Sequence, residues 1–155
     1  MEHTLKNQQF NIILADDDAD DRYFFKKALE ELPITSTLKT VPDGEHLMNY
    51  LTEHTDSLPD VLFLDINMPC KNGVECLKEI NQSEQLKQIP VVICSTSLGD
   101  DMANTLYHAG AFYYLHKCDF SDLKRYLQKI LLSLSDSPRH QPPRNQFKIN
   151  IKEYS

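Results

Sequence analysis

A chain of 155 residues, 41% of them hydrophobic, has the length of one domain and enough apolar material to bury a core, which excludes a wholly disordered protein. Its formal net charge of −7 speaks against nucleic acid and against an anionic membrane surface as partners, since both call for a basic footprint. No apolar run approaches a membrane span, and MEHTLKNQQF has no signal-like stretch, so a cytoplasmic location is expected. The four cysteines, Cys70, Cys76, Cys94 and Cys118, form no CxxC pair and read as reduced and mostly buried.

Residues 1–8 read as an extension. The run from Phe10 to Asp16 (FNIILAD) is short, apolar and ends in carboxylates, as a buried strand would. The pattern then turns helical from Ala19 to Leu32. Phe24, Ala28 and Leu32 stand four apart on one face, with Asp18 as N-cap and Pro33 as the stop. Ser36 to Val41 predicts a weak second strand, Asp43-Gly44 a turn, and Glu45 to Glu53 a helix.

A second apolar run, VLFLD, ends in Asp65 and leads into the loop INMPCKNG, which Pro69 and Gly73 break; a helix from Val74 to about Asn81 follows. Pro90 opens a fourth strand, VVICS. The helix from Gly99 to Ala109 is stopped by Gly110, and Phe112 to His116 is a fifth strand. The last helix begins near Ser121, with Leu123, Leu127, Ile130 and Leu134 in one stripe. Five alternations of short apolar strand and helix predict an α/β fold, a parallel sheet covered on both faces.

From Ser135 the chain is polar and proline-rich, like a linker. NQFKINIKEYS then alternates Phe147, Ile149 and Ile151 with Lys148, Asn150 and Lys152. The plain reading is a loose tail. The sharper one is an added edge strand over 146–152 or a segment that docks a partner.

The polar residues collect at strand ends, where open parallel sheets bind ligands. Asp16 and Asp17 end the first strand, Asp65 the third and Ser95 the fourth, and Lys117 follows the fifth. Three carboxylates brought together resist ionising, and Mg²⁺, which prefers oxygen ligands, relieves that repulsion. A carboxylate can act as a nucleophile toward phosphorus, with catalysis mainly by positioning and charge neutralisation. Lys117 and Ser95 would then serve phosphate oxygens.

ILADDDADDR, LDINMPCKNG, PVVICSTS and GAFYYLHK, in this order and spacing, resemble the four signature blocks of response-regulator receiver domains. The resemblance covers roughly Phe10 to Leu134, so that a receiver over 9–134 is followed by a linker and tail over 135–155. It implies a doubly wound five-stranded sheet of order 2-1-3-4-5. It implies that Asp65 accepts a phosphoryl group and that Asp16, Asp17, Asp65 and the Asn67 backbone carbonyl hold Mg²⁺. Ser95 matches the family's hydroxyl and Lys117 its lysine. Tyr114 matches the aromatic that swings inward when the hydroxyl engages phosphate, and Asn67 and Ser97 sit where the family tunes phosphate lifetime.

The implied donor is a sensor histidine kinase or a phosphotransfer protein. With about twenty residues after the receiver, output is expected through protein contact, including a homodimer through the helix from Gly99, the fifth strand and the last helix. More loosely, the short form and the DDDADDR opening resemble bacterial single-domain regulators that pair with sensor kinases, phytochrome-type ones included.

Two positions depart from the family. Cys118 replaces the usual proline after the lysine. A non-proline cis bond costs about 3 kcal/mol, so a trans peptide and a different reach for Lys117 are expected. Thr96 is bulkier than the usual small residue and would narrow access to the phosphate.

Other readings carry less weight. As a calcium loop, DDDADD would need glycine at Asp21 and glutamate at Lys27. Asp18, Asp20 and Asp21 are accounted for as acids favoured at a helix start. A haloacid-dehalogenase-type phosphatase would carry its nucleophile at the first strand and an acidic pair late, the reverse of this order. A pseudo-receiver that never takes phosphate fits poorly with Asp65, Asp17 and Lys117 all present, although Cys118 leans toward it.

Overall fold

Every residue of VLFLD and of VVICS is buried in the computed structural model, as befits central strands of a sheet covered on both sides. The structure describes residues 9–96, 98–136 and 140–149. In chain order the elements are β1 (Gln9–Ala15), α1 (Ala19–Glu30), β2 (Thr35–Val41), α2 (Gly44–Glu53), β3 (Val61–Asp65), α3 (Gly73–Gln82), β4 (Val91–Ser95), α4 (Asp100–His108), β5 (Tyr113–His116) and α5 (Phe120–Asp136), then a short 3₁₀ turn at Arg144–Gln146. The strands are all parallel, in the order β2-β1-β3-β4-β5, so the expected doubly wound sheet is what forms. None of the described helices is long and apolar enough to cross a membrane.

Strand alternation sorts the side chains into two apolar layers. Ile12, Leu14, Val61, Phe63, Val92 and Leu115 face α1 and α5, with Phe25, Leu127 and Ile130. Ile13, Ala15, Leu62, Leu64, Ile93 and Tyr114 lie on the other side, with Leu47, Leu77 and Leu106 of α2, α3 and α4.

Caps fix where the helices begin. Asp18 accepts from the backbone N–H groups of Asp20 and Asp21. Asn72 and Glu75 form a reciprocal capping box at α3. Gly110 has a φ of 107° and ends α4, as its position suggested.

Some expectations need correcting. The buried face of α1 runs through Phe25, Ala28 and Leu29, and Phe24 is half exposed. β1 stops at Ala15, so Asp16 and Asp17 follow the strand; Asp16 still donates its N–H to Val41 O at 3.1 Å. α5 runs on to Asp136, past the expected boundary at 134. Two cysteines are buried (Cys76, Cys94), but Cys70 and Cys118 are exposed.

The tail returns to the body. Residues 140–149 lie along α4 and the outer edge of β5, with one parallel bridge between Tyr114 and Lys148. Phe147 is fully buried, and Ile149 nearly so, while Lys148 between them is exposed. The alternation seen in the sequence is thus real, but it pairs at a single bridge, and residues 150–155 lie outside the described part. Burying a phenylalanine contributes about 2 kcal/mol, to which the burial of Ile149 and the hydrogen bonds of the segment add. The tail therefore occupies the outer edge of β5 and one side of α4 and the turn after it, at Asn104, Tyr107 and Ala111, within the surface expected to form a homodimer.

Candidate functional site

Three strands deliver charged groups to one end of the sheet with the same sidedness. Asp16 continues the alternation of Ile12 and Leu14, Asp65 that of Val61 and Phe63, and Lys117 that of Leu115. Lys117 Nζ lies 3.1 Å from Asp16 Oδ2 and 3.4 Å from Asp65 Oδ2. Asp16, Asp17 and Asp65 each offer a carboxylate oxygen to a group spanning no more than 4.8 Å. Asp16 and Asp65 are buried, whereas Asp17 is exposed on the solvent side.

The lysine's nearest carboxylate is one that sequence reasoning missed. Asp21 Oδ2 accepts from Lys117 Nζ at 2.9 Å. Asp21 was accounted for as an acid at a helix start, yet it stands one turn before Phe25 on the inward face of α1. Reading that face through Phe24 turned Asp21 away from the site; the spacing Asp21, Phe25, Ala28, Leu32 would have found it.

Local backbone bonds hold the acids in place. Asp18 N–H donates to Asp16 Oδ1 at 2.9 Å, and Asn67 N–H donates to Asp65 Oδ1 at 3.2 Å. Arg22 Nη1 donates to the Asp16 carbonyl at 2.7 Å. Behind Asp65, the loop closes through Gly73 N–H on Ile66 O at 2.9 Å. A β-carbon on Gly73 would run into Asp65 O and come within 2.9 Å of Ile66 Cα, so only glycine fits.

Burial raises the Asp65 carboxyl to about 6, opposed by the Lys117 charge and reinforced by Asp16. Burial also raises Asp16, against its bond from Asp18 N–H and the charge of Lys117. Burial disfavours the Lys117 ammonium too, but its hydrogen bond to Asp21 and the charges of Asp16 and Asp65 prevail and hold it above its ordinary value. One ammonium shared among three carboxylates leaves negative charge uncompensated. An all-oxygen donor set of this charge suits a hard divalent cation and not a thiophilic one.

The remaining expected residues are placed as follows. Ser95 is buried at the end of β4, on the Ile93 side of the sheet. Tyr114, on the same side, is buried with its ring turned into the core. Asn67 and Thr96 are exposed, and Ser97 lies outside the described residues. The Lys117–Cys118 peptide is trans, and Lys117 still reaches Asp65. Beside the acids, a cleft of about 300 Å³ opens between α1 and the start of α5, floored by Leu14, Phe25 and Leu115 and flanked by Phe24, Phe120 and Leu123.

Comparison with known proteins agrees with this geometry. The family model for the response regulator receiver domain matches residues 12–128. The chain is 35% identical over 125 residues to the probable methanogenesis regulatory protein FilR2 of Methanothrix harundinacea, covering 78% of this chain and 81% of that protein. It is 32% identical over 124 residues to response regulator Rcp1 of Synechocystis, covering 77% and 84%. The Mn²⁺-bound crystal structure of Rcp1 superposes with a TM-score of 0.72 over 86% of this chain and 99% of that one. The phosphorylated cyanobacterial phytochrome response regulator RcpA, 31% identical, superposes at 0.75 over 87% and 99%. With five parallel strands in the receiver order and acids and a lysine meeting at their ends, the chain belongs to the response-regulator receiver family and has that family's phosphoacceptor role in signalling.

Proposed function

We propose that Asp65 is the phosphoacceptor and that the donor is a phosphohistidine on a sensor kinase or phosphotransfer protein. A carboxylate oxygen of Asp65 forms the new P–O bond while the donor's P–N bond breaks, and the electron pair leaves with the donor nitrogen. Lys117 holds a phosphoryl oxygen through its ammonium, which its acidic neighbours keep protonated at neutral pH. Asp16 anchors that ammonium, and the Asn67 N–H orients Asp65. Asp16, Asp17, Asp65 and the Asn67 carbonyl would hold Mg²⁺, which would supply the positive charge that lets an anionic phosphoryl group approach a carboxylate. Ser95 takes another phosphoryl oxygen and so favours the inward position in which the Tyr114 ring lies, biasing a two-state surface. Asn67 and Ser97 govern how fast water reaches the product.

The observation that carries this reading is the approach of Lys117 Nζ to Asp65 Oδ2 and Asp16 Oδ2 at the ends of three strands. It also removes the motive for a pseudo-receiver, because Cys118 does not displace the lysine. Incubation with Mg²⁺ and acetyl phosphate, followed by intact mass, should add one phosphoryl group to the wild type and none to Asp65→Asn. An unmodified wild type, with an active kinase as donor as well, would sink the proposal.

A further inference from the structure

Residues 140–149 are tied to α4, to the turn after it and to Tyr114 of β5 by hydrogen bonds. Gln141 Nε2 donates to the carbonyls of Tyr107 and Ala111, at 2.7 and 2.8 Å, where α4 ends. Tyr107 Oη donates to Pro142 O at 2.7 Å, and Arg144 Nε to Asn104 Oδ1 at 2.7 Å. The Arg144 guanidinium lies 5.5 Å from the centre of the Phe147 ring. Phe147 is fully buried, edge-on to Tyr107 at 5.6 Å and tilted against Tyr114 at 6.5 Å. Both backbone groups of Tyr114 are taken by the tail: its N–H donates to Phe147 O at 2.7 Å, and its carbonyl accepts from Ile149 N–H at 3.0 Å.

The outer edge of β5 is therefore sealed at Tyr114, the residue proposed above to respond to Ser95. A tyrosine leaving the core past that edge would have to displace Phe147. We infer that Phe147 is a positioning residue for Tyr114, and that the docked tail holds the ring buried and so raises the site's affinity for a phosphoryl group. This rests on the reading of Ser95 and Tyr114 as a coupled pair. Docking of the tail and occupation of the site then favour the same ring position, and linkage makes the effect reciprocal. Loss of Phe147 weakens phosphoryl binding, and phosphoryl binding tightens the tail.

Beryllofluoride with saturating Mg²⁺, on the full chain, is the probe. Phe147→Ala should weaken beryllofluoride binding on the order of tenfold while Mg²⁺ affinity stays at the wild-type value, and Phe147→Leu should recover most of the loss. In the wild type, beryllofluoride should slow hydrogen exchange at the Ile149 amide. An affinity in Phe147→Ala within twofold of wild type, or an Ile149 amide whose exchange ignores beryllofluoride, overturns the inference. If Phe147→Ala does not fold, the wild-type exchange measurement decides alone. Failure of the wild type to bind beryllofluoride at all would instead count against the phosphoacceptor reading, so the two failures are distinguishable.

Discussion

Lys117 Nζ stands closer to Asp21 than to Asp65, 2.9 Å against 3.4 Å. Asp21 is the more exposed, so it acts as a resting partner that competes for the ammonium. Asp21→Ala should release Lys117 toward an incoming anion and remove one repelling charge. Beryllofluoride affinity should rise on the order of threefold, the scale of a partly exposed ion pair, with little change in melting temperature. A fall in affinity would mean that Asp21 orients the lysine rather than restraining it.

Removal of Lys117 acts differently, because Asp16 and Asp65 are buried. Without the ammonium both carboxyls climb further above their ordinary range. Lys117→Ala should slow phosphorylation by acetyl phosphate on the order of a hundredfold, as loss of an aimed charge does. Its melting temperature should fall further below wild type at pH 8 than at pH 5, since at the lower pH the stranded acids can take up protons. An equal drop at both values would contradict the assigned electrostatics.

The acids also set a pH dependence for the metal-free protein. Asp65 titrates at about 6 in the fold against an ordinary value of 3.8, so the folded state holds that proton more tightly. The stability this contributes is fully present below about pH 4 and is lost as pH rises through 6. Mg²⁺ competes with the protons and should raise the melting temperature more at pH 7 than at pH 5. Thermal scans of wild type and Asp65→Asn check this, and the variant should show the smaller pH dependence.

Gly73→Ala should be costly although it adds one carbon. The new methyl would press on the carbonyl of Asp65 and the Cα of Ile66, both backbone atoms with nowhere to go. Overpacking of this sort costs about 2 kcal/mol, visible in urea melts. Phosphorylation should slow as well, because the strain falls on the acceptor residue itself.

Most of the sheet was legible because fully buried parallel strands leave long apolar runs, and VLFLD and VVICS could be little else. The acids were legible for a related reason: Asp16 and Asp65 come straight after such runs. Asp21 was hidden because the face of α1, right at Ala28 and Leu32, was read through Phe24 instead of Phe25, and one turn before Phe24 stands Asp20 and not Asp21. The period of Phe147 and Ile149 showed in the letters, but not which edge would receive them, since that depends on where α5 ends and the chain turns back.

Sidedness has one more consequence. Asp16, Asp65 and Lys117 belong to the layer beneath α1 and α5, whereas Ser95 and Tyr114 belong to the layer beneath α4. In the proposed scheme, news of the reaction crosses the sheet through one hydroxyl. Ser95→Ala should therefore yield a protein that still gains the mass of a phosphoryl group with acetyl phosphate, yet whose Ile149 amide exchanges as fast with beryllofluoride as without it. Such a molecule would be charged and mute.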